Sequence, residues 1–232
     1  MATRYGYRRI YYELMERHGY LGSKERVRRQ MKHLGLKAII KRRFKVTTDS
    51  QHKHAVADNL LKQNFTTKQI NQAWVGDITY IRIGRHQWMY LAVVIDLYSR
   101  KVIGWAMDKR MTTDLVCNAL FMALKARGYP KHVIVHTDRG SQYCSYRYQQ
   151  LLKQYQLRGS MSAKGNCYDN AVCESFFHTL KVEQVHRFYY ENHQQARQSI
   201  FEYIEAYYNR IRRHSSLQYK SPIDFETLAM NS

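Results

Sequence analysis

Residues 74–107 read WVGDITYIRIGRHQWMYLAVVIDLYSRKVIGWAM, and this stretch decides the fold. It holds three runs rich in β-branched and aromatic residues, separated by the short turns GRHQ and SR. Runs of this kind favour β-strands, and connections this short join neighbouring antiparallel strands. The stretch therefore predicts a three-stranded antiparallel meander.

Helical and strand patterns alternate after the meander. A helix is predicted over 112–128, where a capped start and a terminal glycine bracket an apolar stripe. The strand HVIVHT, a turn at DRGS, a helix over 142–156, the short strand LRGSMS and a helix from about Asn170 follow in that order. Because a strand–helix–strand crossover adds parallel strands beside the meander, the predicted class is α/β, a mixed sheet flanked by helices.

Residues 1–42 predict a small unit of two helices that precedes the sheet. Gly19 and Gly22 bracket a turn, and Ser23 caps a second helix whose other faces are basic. The basic residues that we single out there are Arg26, Arg28, Arg29 and Lys32. The pattern is typical of a helix-turn-helix-like unit that binds DNA, but a basic helical hairpin that only packs against the rest of the chain fits it equally.

Composition divides the remaining chain into three parts. We predict a basic linker over 43–70 with a short helix near 58–63, a catalytic core over 71–190 and a C-terminal helical extension over 191–232. In the extension, a long helix over 193–217 is predicted to turn Ile200, Ile204 and Ile211 inward. Ser221 and Pro222 then open a final short helix as its cap and first residue.

The charge balance indicates a polyanionic partner. The chain has 38 lysines and arginines against 18 acidic residues, a net charge of +20. Nucleic acid fits this excess better than a membrane, because the sequence has no long apolar span and no lipidation motif. The four cysteines form no CxxC pair, which favours free thiols in a reducing cytoplasm over a structural zinc site.

Three acidic residues are candidates for one metal site. Asp77 lies in the middle of a strand with largely apolar faces, and Asp138 ends the strand HVIVHT. Glu174 lies on the helix after the loop, beside an apolar stripe of Cys173, Phe176, Phe177 and Leu180. Carboxylate oxygens suit Mg²⁺ or Mn²⁺, and two such ions activate the attacking oxygen and stabilise the leaving oxygen when a phosphodiester is cut. Scattered structural acids remain the alternative at this point.

Other acidic residues compete for the same role. Asp96 also sits at a strand end, but we expect it to cap a turn through Ser99 or Arg100. Asp169 is predicted to be a helix cap beside Asn170. Arg139, directly after Asp138, leads with Gly140 and Ser141 into a helix N-terminus, where backbone N–H groups favour a phosphate.

The spacing of the three acids is similar to that of a known superfamily. Asp138 and Glu174 enclose 35 residues, and Lys181 follows two helical turns after Glu174. With Asp77 in WVGDITYI, this resembles the D-D-35-E transposases and retroviral integrases. The words YGYRRIYYEL, VVIDLYSRKVIGW, HTDRGSQY, GNCYDNAVCESFFHTLKVE and YYNRIRRHSSLQYKSPIDFE resemble the second-reading-frame transposases of the third insertion-sequence family of bacteria. The resemblance covers nearly the whole chain.

The resemblance implies a ribonuclease-H-like core in which Asp77, Asp138 and Glu174 hold two Mg²⁺ ions, with Mn²⁺ as a substitute. The implied reaction is hydrolysis at an insertion-element end, followed by attack of the freed 3′-OH on another phosphodiester. Lys181 and His178 would face the DNA, and the C-terminal extension would add basic contacts. Its candidate residues are Arg210, Arg212, Arg213 and His214.

The family pattern also implies partners. They are double-stranded DNA (element ends and target), further copies of the chain in a homo-oligomer that bridges two ends, and a first-reading-frame product or fused N-terminal domain. Starting at Met1, the chain is expected to lack the upstream helix of the DNA-recognition unit. Two alternatives stay open: a DNA-binding module without catalysis, and a nuclease on the same fold that cuts but does not join.

Overall fold

The computed structural model of the protein describes residues 2–38, 57–62, 64–162 and 170–231. Most of the predicted linker, including His52 and His54, and the loop that carries Asp169 lie outside these residues. Within the described ranges, no helix is long and apolar enough to cross a membrane.

The N-terminal unit contains the two predicted helices. Its elements are β1 (Ala2–Thr3), α1 (Tyr7–His18), α2 (Lys24–His33) and β2 (Lys37–Ala38). The Ser23 hydroxyl caps α2 by accepting a hydrogen bond from the N–H of Arg26 at 3.2 Å. β1 and β2 pair in parallel, which closes the unit on itself. Val27 and Met31 are buried as the helical spacing predicts.

The central sheet has five strands in the order β5-β4-β3-β6-β7. They are β3 (Ala73–Ile83), β4 (Gln87–Asp96), β5 (Val102–Asp108), β6 (Ile134–Thr137) and β7 (Arg158–Met161). β3, β4 and β5 pair antiparallel, as predicted for the meander, while β6 and β7 add in parallel beside β3. β3 is therefore the central strand, and the predicted mixed sheet is confirmed.

Helices cover both faces of this sheet. They are α3 (Thr113–Ala126), α4 (Ser141–Cys144), α5 (Tyr146–Gln154), α6 (Ala171–Glu183), α7 (His193–Phe201) and α8 (Pro222–Met230). α3 and α5 pack on one face and α6 and α7 on the other, each over its own apolar core. α3 approaches β5 closely at Gly104, where a Cβ atom would lie 2.2 Å from the carbonyl oxygen of Ala119. Only glycine fits there.

Two local predictions were wrong. Residues 58–62 form a turn rather than a helix, with the Asn59 side chain accepting hydrogen bonds from the N–H groups of Leu61 and Lys62. The long helix predicted over 193–217 changes winding after α7: residues Glu202–Tyr208 are π-helical, and a 3-10 turn follows at Ser215–Leu217.

The π-helical segment changes which side chains face inward. A π-turn holds more residues than an α-turn, so the inward register moves along the chain. Ile200 and Ile204 are buried as predicted, but Ile211 is 40% exposed and Arg212 is only 4% exposed. Sequence spacing at 3.6 residues per turn could not anticipate this change.

The C-terminal segment packs against the N-terminal unit through ion pairs and a ring contact. Arg213 forms ion pairs with Glu13 and Glu16 of α1, both at 2.5 Å. The rings of Tyr12 and Tyr219 stack with their centres 4.0 Å apart. The helix-turn-helix-like unit thus has a defined packing partner in the described structure.

Candidate active site

Asp77 and Asp138 lie at the junction of two parallel strands. Gly76 of β3 pairs with Thr137 of β6, so the residue that follows each of them, Asp77 and Asp138, lies at the same level of the sheet. The side chain of each is partly buried. Asp77 accepts a hydrogen bond from the N–H of Ile78 at 2.7 Å, and Asp138 accepts one from the N–H of Gly140 at 2.9 Å.

Glu174 reaches the same region from the first turn of α6. The stripe Cys173, Phe176, Phe177 and Leu180 is fully buried against the sheet, as predicted, and this packing fixes the helix. Glu174 itself is exposed, and its pKa is raised by partial burial. Burial raises the pKa of Asp77 well above its ordinary value, and the charges of Asp138 and Glu174 raise it further. The three carboxylates therefore act on one another electrostatically.

The donor set fits a divalent cation by its chemistry. Carboxylate oxygens are hard ligands, and mutual repulsion among three acids is relieved by a bound ion of charge +2. Neither Asp77 nor Glu174 forms an ion pair with a lysine or arginine in the described ranges. Among those same residues, however, no three Asp, Glu, His or Cys side chains are close enough together to form a ready-made metal cluster.

Lys181 and His178 lie further along α6. Lys181 was expected to be exposed toward DNA, but it is only 5% exposed, with its Nζ 4.5 Å from the ring centre of Tyr80. Burial lowers the pKa of Lys181 to about 8, against the opposing effect of the Asp77 charge. Tyr80, which lies on β3 three residues after Asp77, was not singled out from the sequence. His178 is partly buried.

The predicted basic contacts fall into two groups. Arg26, Arg28, Arg29, Lys32 and Arg210 are exposed, although Arg28 forms an ion pair with Glu25. Arg212, by contrast, is buried and donates hydrogen bonds to both carboxylate oxygens of Glu183, at 2.7 and 2.9 Å. Arg213 forms its ion pairs with Glu13 and Glu16 of α1. These two arginines are buried against internal partners, which corrects the prediction that they contact DNA.

Two further predicted contacts are partly buried. Arg139 donates a hydrogen bond to the carbonyl oxygen of Ser162 at 2.7 Å, beside Asp138. The pKa of His214 is lowered well below its ordinary value by burial and by the charges of Arg212, Arg9 and Arg100. His214 is therefore neutral at pH 7 and cannot serve as a cationic contact.

Comparison with known proteins agrees with this architecture. Residues 67–167 and 174–230 match two families that are each described as an integrase core domain, and residues 2–44 match an HTH-like domain. The fold is similar to a chain in the simian T-cell lymphotropic virus intasome in complex with PP2A regulatory subunit B56 gamma. That likeness has a TM-score of 0.58 at 19% identity and covers 76% of this chain and 60% of that chain. The fold and the matched domains define a DNA-integrating polynucleotidyl transferase.

The relatives in sequence narrow the class to one family. The chain is 51% identical over 223 residues to the transposase InsF for insertion sequence IS3A of Escherichia coli (strain K12), covering 96% of this chain and 77% of that protein. It is 46% identical over 221 residues to the insertion element IS600 uncharacterized 31 kDa protein of Shigella sonnei, covering 95% and 80%. The chain belongs to the IS3 family of transposases. It acts on DNA, and its function is DNA transposition.

Proposed function

We propose that the protein cuts the ends of its insertion element and joins the freed 3′-OH to target DNA, using Asp77, Asp138 and Glu174 as ligands for two Mg²⁺ ions. Mn²⁺ would substitute for Mg²⁺. The observation that carries the proposal is the environment of Asp77. It is a carboxylate on the central strand, next to two further acids, and no arginine or lysine of the described ranges forms an ion pair with it. Burying such a charge is costly unless a cation from outside the chain compensates it.

The proposed role of each residue follows from its position. When bound, the two ions would activate the attacking oxygen and stabilise the leaving oxygen of a phosphodiester. Asp77 and Asp138 provide a rigid platform because both are fixed by backbone hydrogen bonds at the sheet junction. Glu174 completes the site from α6. Lys181, on the same helix, adds a positive charge beside the site that favours the anionic backbone of the substrate.

A strand-transfer assay tests this assignment. Labelled duplex carrying the element end is incubated with the protein and Mg²⁺ or Mn²⁺, and joined product is compared between wild type and Glu174→Gln. The variant removes a ligand charge and little volume, so we expect product formation to fall by about three orders of magnitude or more, the effect of losing several kcal/mol of transition-state stabilisation. DNA affinity should be unchanged.

The matched control is Glu202→Gln, which alters an exposed glutamate on the π-helical segment. It should transfer strands like the wild type. Joining by Glu174→Gln at the wild-type rate would refute the ligand assignment. Cutting without joining by the wild type would favour the nuclease alternative, and binding without either would favour the non-catalytic module.

We further propose the organisation in which this chemistry occurs. The chain divides into a DNA-binding unit over 1–42, a linker over 43–70, a ribonuclease-H-like catalytic core over 71–190 and an extension over 191–232. The exposed charges of α2 and Arg210 contact DNA in the bacterial cytoplasm. A homo-oligomer bridges two element ends, and the first-frame product supplies further recognition of end sequences. The mass of the complex in solution, with and without paired ends, tests the oligomer.

A further inference from the structure

A cavity of about 430 Å³ lies where three parts of the chain meet. The N-terminal unit, α6 and the segment after the π-helix each contribute to its wall. From α6 it receives Ser175, Thr179 and Val182, and also His178, which lies one helical turn after Glu174. The cavity is therefore a neighbour of the carboxylate site along the same helix.

The wall of this cavity carries an excess of positive charge. Four arginines line it: Arg4, Arg9, Arg100 and Arg212. Glu183 is the lining carboxylate, and it is already paired with Arg212 at 2.7 Å and with Arg9 at 3.9 Å. One carboxylate therefore faces four guanidinium groups.

Arg100 is the least compensated of these arginines. It occupies the turn between β4 and β5 with a φ angle of 59°. Its Nη1 is buried and has no hydrogen-bond partner within the described part of the chain, and it forms no ion pair there. Arg4, by comparison, donates a hydrogen bond to the side-chain oxygen of Gln184 at 2.8 Å and lies over the ring of Tyr207.

The electrostatic environment agrees with this geometry. Burial lowers the pKa of Arg100, and burial together with the charge of Arg212 lowers the pKa of Arg9. A buried donor without a partner and a cluster of like charges are both costly, and an anion bound in the cavity would relieve both.

We propose that this cavity binds a phosphate group. Arginine forks match the oxygens of a phosphate, and Ser175 and Thr179 of α6, which also line the cavity, provide neutral hydroxyl donors. The volume exceeds that of one phosphate and leaves room for the groups attached to it. The phosphate is either one in the DNA backbone, in which case the inference rests on the proposed function, or one in a free phosphate compound. Bound there, it would link the N-terminal unit to the helix that carries Glu174.

The test compares Arg100→Gln with the wild type in two binding experiments on the full chain. Fluorescence anisotropy measures the affinity for a labelled duplex carrying the element end over a range of salt concentrations. Thermal unfolding measures stabilisation by inorganic phosphate and by pyrophosphate. Arg100 is suitable because its Nη1 holds no internal contact to lose. Arg158→Gln, which changes an exposed arginine on β7, is the matched control, and Arg100→Lys shows whether charge alone restores binding.

A backbone phosphate in the cavity predicts about tenfold weaker duplex binding by Arg100→Gln, the loss of one charge-assisted contact. The slope of log affinity against log salt should fall in magnitude by about 0.9, with no change for Arg158→Gln. A free compound predicts instead that phosphate or pyrophosphate stabilises the wild type but not Arg100→Gln, with duplex binding equal. Either result supports the cavity as a phosphate site and identifies the source.

The inference is overturned if Arg100→Gln behaves like the wild type in both experiments, or if it and Arg158→Gln lose duplex affinity equally. Thermal unfolding without ligand checks that each variant is folded. The result is independent of the strand-transfer assay. Failure of Glu174→Gln to affect joining would remove the proposed active site while leaving the affinity difference at Arg100 intact.

Discussion

Asp77 and Asp96 lie on neighbouring strands of the same sheet in opposite electrostatic environments. Asp96, at the end of β4, is fully buried and accepts hydrogen bonds from the N–H groups of Asn71 and Tyr98, both at 2.9 Å. Arg127 lies 3.5 Å away and also pairs with Glu226 of α8. Asp77 has one backbone donor and two acidic neighbours, and among the described residues it forms no ion pair, although the charge of Lys181 lowers its pKa.

This difference distinguishes a structural acid from a candidate ligand. The protein supplies Arg127 as a cation to both Asp96 and Glu226. Burial still raises the pKa of Asp96, but Arg127 and two backbone N–H groups oppose that rise, and the pKa of Glu226 is lowered. At Asp77 the described residues provide no paired cation, and the charge of Lys181 only partly offsets burial and the two neighbouring acids. Burial by itself does not separate the two classes, because Asp96 is buried and Asp77 is partly buried. The presence or absence of an arginine partner separates the structural acid from the candidate metal ligand.

The largest effect on stability is expected from breaking the compensated cluster. Arg127→Met removes the cation between Asp96 and Glu226 and leaves two buried carboxylates. Glu226 keeps Lys101 at 3.0 Å and the hydroxyl of Ser99 as partners. We expect a loss of about 3–5 kcal/mol in the free energy of unfolding, measured by chemical denaturation. Arg147→Met, which breaks an exposed pair with Asp114, should cost less than about 1 kcal/mol. Equal losses in the two variants would contradict the comparison.

A smaller effect is expected from metal at the uncompensated site. Mg²⁺ or Mn²⁺ at about a hundred times its dissociation constant should stabilise the wild type by about 2.7 kcal/mol in thermal unfolding. Asp77→Asn should lose most of this gain, because it removes a ligand charge but keeps an oxygen that can accept from the N–H of Ile78.

The control for the metal experiment is Asp96→Asn. In the presence of chelator, this variant should be less stable than the wild type. Added metal should stabilise it by the same free energy as it stabilises the wild type. Asp77→Asn in chelator should be at least as stable as the wild type, since the charge it removes is uncompensated. Metal stabilisation that survives in Asp77→Asn would place the ion elsewhere.

The smallest effect is on acid stability. Burial raises the pKa of Glu226, but hydrogen bonds from Arg127 and Ser99 outweigh burial, so its pKa is below the ordinary value. A carboxylate with a depressed pKa contributes stability that is fully present above its unfolded pKa, about 4.3, and lost as the pH falls through its lower folded value. Glu226→Gln should therefore flatten the acid side of the stability profile by on the order of 1 kcal/mol. The control Glu202→Gln should show the same dependence of stability on pH as the wild type. If Glu226→Gln also showed the wild-type dependence, the pKa of Glu226 would not be depressed in the folded protein.

Much of the fold could be predicted because it depends on local pattern. The β-branched and aromatic runs of residues 74–107, separated by short turns, predicted the meander, and the helical spacing in α6 predicted the burial of Cys173 and Leu180. The structural role of Asp96 was also predicted, but with the wrong partners: the side chain accepts from Asn71 and Tyr98, while Ser99 donates to Glu226. Tyr98 is a local partner in the same turn, whereas Asn71 is distant from Asp96 in sequence, as Glu226 is from Ser99, and these pairs meet only in the folded chain.

The sequence by itself determined the order of elements, the mixed sheet, the three candidate carboxylates and a resemblance that the relatives confirmed as family membership. Only the tertiary structure decided which charges are compensated. Arg212 and Arg213 looked like part of a basic surface, yet the π-helical segment turns Arg212 toward Glu183, and α1 takes up Arg213. Arg100 looked like an ordinary turn residue, but it lines a cavity and forms no ion pair with any described residue. Pairing of charges depends on distances between residues far apart in the chain, and no local pattern contains them.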